Sequence, residues 1–164
     1  MRPVLSAIET EYRRYELLGQ GVLEQLGGEA LCARPSAESN SIATLVWHVA
    51  GNLVSRFTDF LGSDGEKPWR EREEEFAPRN VTGDQLREKW AECWSVLFDA
   101  LGELGDDDLE RTITIRGVEL SVIEALMRSL AHTASHVGQM MYAGKLLAGP
   151  EWRYLSIPPG GTTD

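Results

Sequence analysis

Apolar side chains recur along this chain at three- and four-residue intervals, the spacing that puts them on one face of a helix. From about Pro3 to Leu26 the stripe is Val4, Ile8, Tyr12, Tyr15, Leu18, Val22 and Leu26. Pro3 suits a first helical turn, where its missing N–H costs nothing. Gly19 and Gly21 either weaken the helix or admit a close neighbour, and Gly27-Gly28 reads as its stop. After a loop through Pro35, Ser36, Ser39 and Asn40, a second stripe of Ile42, Leu45, Val49, Leu53, Phe57 and Phe60 predicts a helix from Ser41 to about Leu61. The cluster Gly62-Ser63-Asp64-Gly65 supplies turn chemistry and closes it. The run from Trp69 to Asn80, with Arg70, Glu71, Arg72, Glu73, Glu74 and Glu75, reads as a solvated connection.

Thr82 followed by Gln85 forms a capping-box pattern, and Leu86, Trp90, Cys93, Trp94, Leu97, Leu101 and Leu104 predict a third helix running to Gly105. The alternation Thr112-Ile113-Thr114-Ile115, then Arg116-Gly117, then Val118-Glu119-Leu120 has the two-residue period of a short hairpin or an extended crossover. Ser121 and Glu124 repeat the capping-box pattern, opening a fourth helix from Val122 to about Leu147 that Gly149-Pro150 ends. Trp152, Tyr154, Leu155 and Ile157 are apolar enough to fold back onto the helices. The expected organisation is all-α: one four-helix-bundle domain over 1–157, with long connections, and a loose tail over 158–164.

Composition narrows the class. With 164 residues, 42% hydrophobic positions and five Trp, the chain can bury a real core. A formal net charge of −10 opposes binding to nucleic acid or an anionic membrane, since phosphates must be met by cationic surface. Cys32 and Cys93 are too few for a disulfide scaffold, which fits a reducing compartment. No stretch approaches the roughly 20 apolar residues of a membrane span. Glu9, Glu11, Arg13, Arg14 and Glu16 stand where a signal peptide needs an apolar centre, so a cytoplasmic location is expected.

The chemistry concentrates in three histidines. His132 and His136, four residues apart on the fourth helix, project from one face with Cβ atoms roughly 6 Å apart. His48 flanks the apolar stripe of the second helix, and a bundle interior can bring it against that pair. Two readings follow: three unrelated rings, or one ligand set. Three neutral imidazoles suit Zn²⁺, Ni²⁺, Fe²⁺ or Cu²⁺ and leave a coordination position open. Asn52, four after His48, and Gln139, three after His136, are candidates for the same cavity, holding a metal-bound water or a substrate carboxylate, or else are amides bonded to a neighbouring helix. Tyr12, Glu16 and Gln20 form a polar ladder that closes the pocket or faces solvent. Cys93, among Trp90, Trp94 and Leu97, reads as core, and Cys32 has no neighbouring base. The chain has no HExxH segment and no Glu-x-x-His pairs of the di-iron kind, which disfavours a zincin protease and ferritin-like oxidation. Met140 and Met141 read as core filler.

The segment Ser41-Ile42-Ala43-Thr44-Leu45-Val46-Trp47-His48, together with His132-x-x-x-His136-x-Gly138-Gln139, resembles the DinB/YfiT-like superfamily of metal-binding four-helix bundles, and within it a subgroup of unassigned function. The resemblance spans the first helix to Leu147. It implies that His48, His132 and His136 are metal ligands, for zinc or nickel first, with iron, manganese or copper as further choices. It also implies a homodimer, for which Trp69 and Trp152 are candidate surface residues. Some members are transferases or isomerases that use bacillithiol, mycothiol or glutathione. The implied function is therefore a metal-dependent thiol S-transferase, its nucleophile a metal-held thiol, with a small electrophilic acceptor as second substrate. The alternatives are a metal-dependent hydrolase acting through metal-held water, and a non-enzymatic metal-binding protein of the stress response.

Overall fold

In the computed structural model, which describes residues 2–158 and 160–161, the chain is mostly helical. Helix α1 (Pro3–Gln25) is followed by the short α2 (Gly28–Cys32) and by α3 (Ile42–Phe57); α4 (Gly83–Gly102) leads through the hairpin strands β1 (Thr112–Ile115) and β2 (Val118–Ser121) into α5 (Val122–Ala148). The four long helices pack as a ring: α3 lies mainly on α4 and α1 on α5, while α1–α4 and α3–α5 contacts complete it. Among the described residues the α-helices therefore number five, because the segment expected to be a stop and loop after Gly27-Gly28 forms α2, whose Leu31 is fully buried.

Sequence explains most of the boundaries. Pro3 occupies the first turn of α1. Thr82 and Ser121 both close capping boxes, each hydroxyl accepting from the N–H three residues on while the Gln85 or Glu124 side chain bonds back, an arrangement worth about 1 kcal/mol per cap. Ser41 caps α3 through the Thr44 N–H. Helix α3 stops at Phe57 rather than Leu61, because Asp59 turns into the left-handed region (φ 48°) and its carbonyl takes the N–H groups of Gly62 and Ser63. Phe60 stays buried beyond that turn, its ring 5.0 Å from that of Phe57. Helix α4 likewise ends at Gly102, short of the expected Gly105.

The core runs the length of the ring. Trp94 and Tyr12 are fully buried and pack edge to face at 6.2 Å. Gly19 lets α4 close on α1: a Cβ there would overlap the indole of Trp90, whose N–H donates to the Glu16 carbonyl at 3.1 Å. At the C-terminal end Trp152 and Leu155 pack on the core, whereas Tyr154 and Ile157 stay exposed. Of the expected tail over 158–164, Pro159 and residues 162–164 lie outside the described residues.

The hairpin forms where its alternation predicts, Thr112 pairing with Ser121 and Ile115 with Val118. Its two turn residues both have positive φ, Arg116 at 55° and Gly117 at 72°, the mark of a tight primed turn. The Asp64 carboxylate accepts from both of their N–H groups at 2.9 Å, pinning the hairpin to the end of the α3 segment.

Candidate metal centre

The three histidines meet. His48, on the core-facing side of α3, is 5% exposed, while His132 and His136 stand half-buried on α5. Nε2 of His132 lies 3.1 Å from Nε2 of His48 and 3.2 Å from Nε2 of His136, and the candidate ligand atoms all fall within 4.8 Å of one another. Donors sharing one ion at about 2.0–2.1 Å stand about 2.8–3.4 Å apart between octahedral and tetrahedral geometry, so two of the three edges already have the right length. The triad can hold a metal ion.

A residue absent from the expected site completes it. Glu75 Oε2 lies 2.8 Å from Nδ1 of His48, and the carboxylate is gripped from behind by Arg70, whose Nε and Nη2 donate to Oε1 and Oε2 at 2.8 and 2.9 Å. Glu75 is 6% exposed. Burial acts to raise its carboxyl, but hydrogen bonds from His48 and Arg70, with the charge of Arg70, outweigh that and hold it below its ordinary range. A carboxylate accepts only, so Nδ1 of His48 is the donor to Glu75, which leaves Nε2 facing the other two histidines. Carboxylate–histidine pairing of this kind orients metal ligands. The donor set and its backing therefore fit a divalent ion.

The run from Trp69 to Asn80 is thus not merely a solvated connection. Arg72–Phe76 forms a 3₁₀ turn packed on α3, and the Phe76 ring lies 4.7 Å from that of His48. Gly51 makes room for it: a Cβ there would overlap the Glu75 carboxylate. Two sequence signals bore on this, Phe76 ending the charged run and Gly51 three residues after His48, yet nothing local separates Glu75 from Glu73 and Glu74.

Among the described residues, Nδ1 of His132 and of His136 make no hydrogen bond. Burial, then the charges of His136, His48, Arg70 and Arg56, push His132 down to about 4. Burial and His48 also lower His136, opposed by Gln139 beside it. Both rings are held in the neutral form that binds metals.

The other sequence candidates separate. Asn52 is buried and lines a cavity of about 240 Å³ with His48 and His132. Gln139 is exposed and lines a different cavity, with Asn40 and Tyr142. The ladder on α1 does not close the site: Tyr12 is buried and donates to the Leu126 carbonyl at 3.0 Å, and Gln20 is exposed and donates to Glu24. Cys93 is buried and Cys32 half-buried, both as free thiols; burial drives the Cys93 thiol far above its ordinary range. Trp69 is exposed, whereas Trp152 packs against Gly144.

The fold is that of a solved DinB-like protein. The chain belongs to the family described as "Protein of unknown function (DUF1572)", whose model matches residues 1–161. Among solved structures it is similar to a conserved protein from Enterococcus faecalis, at 19% identity and a TM-score of 0.67, covering 91% of this chain and 99% of that one. It is also similar to a DinB-like protein from Bacillus cereus ATCC 10987, at 15% identity and a TM-score of 0.67, covering 91% of this chain and 95% of that one. No curated protein matches. No helix among the described residues is long and apolar enough to cross a membrane.

Proposed function

We propose that His48, His132 and His136 hold a divalent metal ion, zinc or nickel first, and that the protein uses this centre to activate a small nucleophile. The observation that carries the reading is the convergence of three Nε2 atoms with His48 fixed in its ligating tautomer by Glu75. A divalent ion at such a centre supplies a lowered pKa to a bound thiol or water, and hence a nucleophile at neutral pH. The DinB-like character of the chain favours a low-molecular-weight thiol, which makes a metal-dependent S-transferase the leading function.

The residues around the triad have separable tasks. Glu75 keeps the proton of His48 on Nδ1, and Arg70 keeps Glu75 ionised. Phe76 covers one face of His48 and excludes water from that side. Asn52, one turn beyond His48 and without a protein hydrogen-bond partner among the described residues, is free to orient a substrate in the adjoining cavity.

The test is a comparison of metal-loaded and chelator-treated protein. Conjugation of glutathione, bacillithiol or mycothiol to electrophilic acceptors should depend on metal and vanish in His132→Ala. Metal-dependent ester or amide hydrolysis without added thiol would replace the transferase reading by a hydrolase. A metal-stabilised protein inactive in both assays would leave a binding role.

A further inference from the structure

The cavity beside the triad has an unusual lining for so acidic a chain. Arg56, Arg70, Arg72, Arg116 and Arg128 border it, and no carboxylate does. Several of these arginines are spoken for. Arg56 and Arg70 bond Glu66 at 2.9 and 3.3 Å, Arg70 also holds Glu75, and Arg116 reaches the same Glu66 oxygen at 3.1 Å. Among the described residues Arg72 pairs with Glu73, whose side chain is 88% exposed, and lies 5.1 Å over the Phe76 ring; exposed ion pairs of that kind contribute little.

Arg128 is different. Among the described residues it makes no hydrogen bond and no ion pair, although it borders the cavity and sits one turn before His132, about 6 Å along the α5 axis. Asn52 occupies the matching place on α3, one turn after His48, so the cavity extends from the histidines toward the hairpin end of the molecule. The hairpin contributes Arg116 from a left-handed turn position (φ 55°), where Asn, Asp or Gly is at ease and a long side chain is strained. Strained positions of this kind cluster where a side chain serves a ligand. Here the turn is held by Asp64 and delivers a guanidinium to the cavity rim.

We propose that this cavity binds the oxyanion of a small molecule, a carboxylate or a phosphoryl group, with Arg128 as its principal partner and Arg72 and Arg116 at its rim. The inference rests on the metal-centre reading for its use: an anion seated on Arg128 directs the rest of the molecule toward His132. A guanidinium offers a planar fork that pairs with either oxyanion. Phe57, Phe60 and Ile115 supply the apolar wall of the cavity, while Arg128 itself stands exposed at its edge. The substrate is thus an anionic one.

Calorimetric titration of the full chain with two probes, inorganic phosphate and succinate, at low ionic strength tests this, run on chelator-treated and on metal-loaded protein. Saturable one-to-one binding of either probe is expected, weakened at least tenfold in Arg128→Gln and partly restored in Arg128→Lys, with melting temperature and metal content unchanged. The tighter probe assigns the oxyanion as phosphoryl or carboxylate. Absence of saturable binding to the wild type, or equal affinity in Arg128→Gln, overturns the inference. Binding that depends on Arg128 in a chain that retains no metal supports the anion site while overturning the metal centre, so the two readings fail separately.

Discussion

Glu75 Oε2 accepts a 2.8 Å hydrogen bond from Nδ1 of His48 across 27 positions of sequence, joining the 3₁₀ turn after α3 to the face of α3 that meets α5. This bond determines which nitrogen of His48 is available to a metal. Loss of an outer carboxylate of this type costs about 10- to 100-fold in metal affinity. Glu75→Gln should show that loss in competition with a chromophoric chelator. Its melting temperature should fall as well, because Arg70, whose side chain is 2% exposed, keeps only Glu66 as a charged partner.

Two glycines separate the support of the site from simple helix propensity. At Gly51 a Cβ would overlap the Glu75 carboxylate, whereas at Gly138 nothing lies within 4 Å. Gly51→Ala should destabilise by about 1–3 kcal/mol through overpacking and weaken metal binding by displacing Glu75. Gly138→Ala should stabilise α5 by about 0.5–1 kcal/mol and leave metal binding unchanged. Denaturant unfolding measures the first effects and chelator competition the second. Equal behaviour of the two variants would contradict this account of Glu75.

Acid should weaken the metal-free protein. His132 is pushed down to about 4 and His136 is lowered too. Below the ordinary histidine value the unfolded chain therefore takes up protons that the folded chain does not. Stability from these rings is fully present above about 6.5 and is lost as pH falls toward 4. The depressed Glu75 carboxyl adds a loss of the same sign at more acid pH. Unfolding of chelator-treated protein from pH 7 to 4 should show stability falling throughout, and His132→Ala should flatten the upper part of the slope.

Much of this fold was legible in the sequence, for reasons that particular residues make plain. Helices α1, α4 and α5 carry long 3.6-residue stripes, and Thr82 and Ser121 mark two of their starts through capping boxes that the structure contains. The hairpin was legible from its alternation around Arg116-Gly117. For His48, His132 and His136 the spacing allowed convergence but left three unrelated rings open, and the family resemblance pointed to the shared set that the structure brings together. Glu75 was not, since it looks like its neighbours until the chain turns back over Gly51, a non-local event that no local spacing encodes. The α3 terminus was missed because Phe60 continues the apolar stripe even though Asp59 leaves the helix. Gln139 was placed with Asn52 by spacing alone; the structure sets it beside His136 but in a different cavity from Asn52.

If the three Nε2 atoms share one divalent ion, its coordination shell carries their signature. X-ray absorption spectroscopy at the metal edge, on protein purified without a histidine tag and compared with His132→Ala, tests that sharing most directly. The expected result is one ion per chain with three imidazole nitrogens at about 2.0–2.1 Å in the wild type, and no retained ion in the variant. A wild type that takes up no metal after exposure to zinc or nickel, or a His132→Ala protein that keeps a full equivalent, would contradict it.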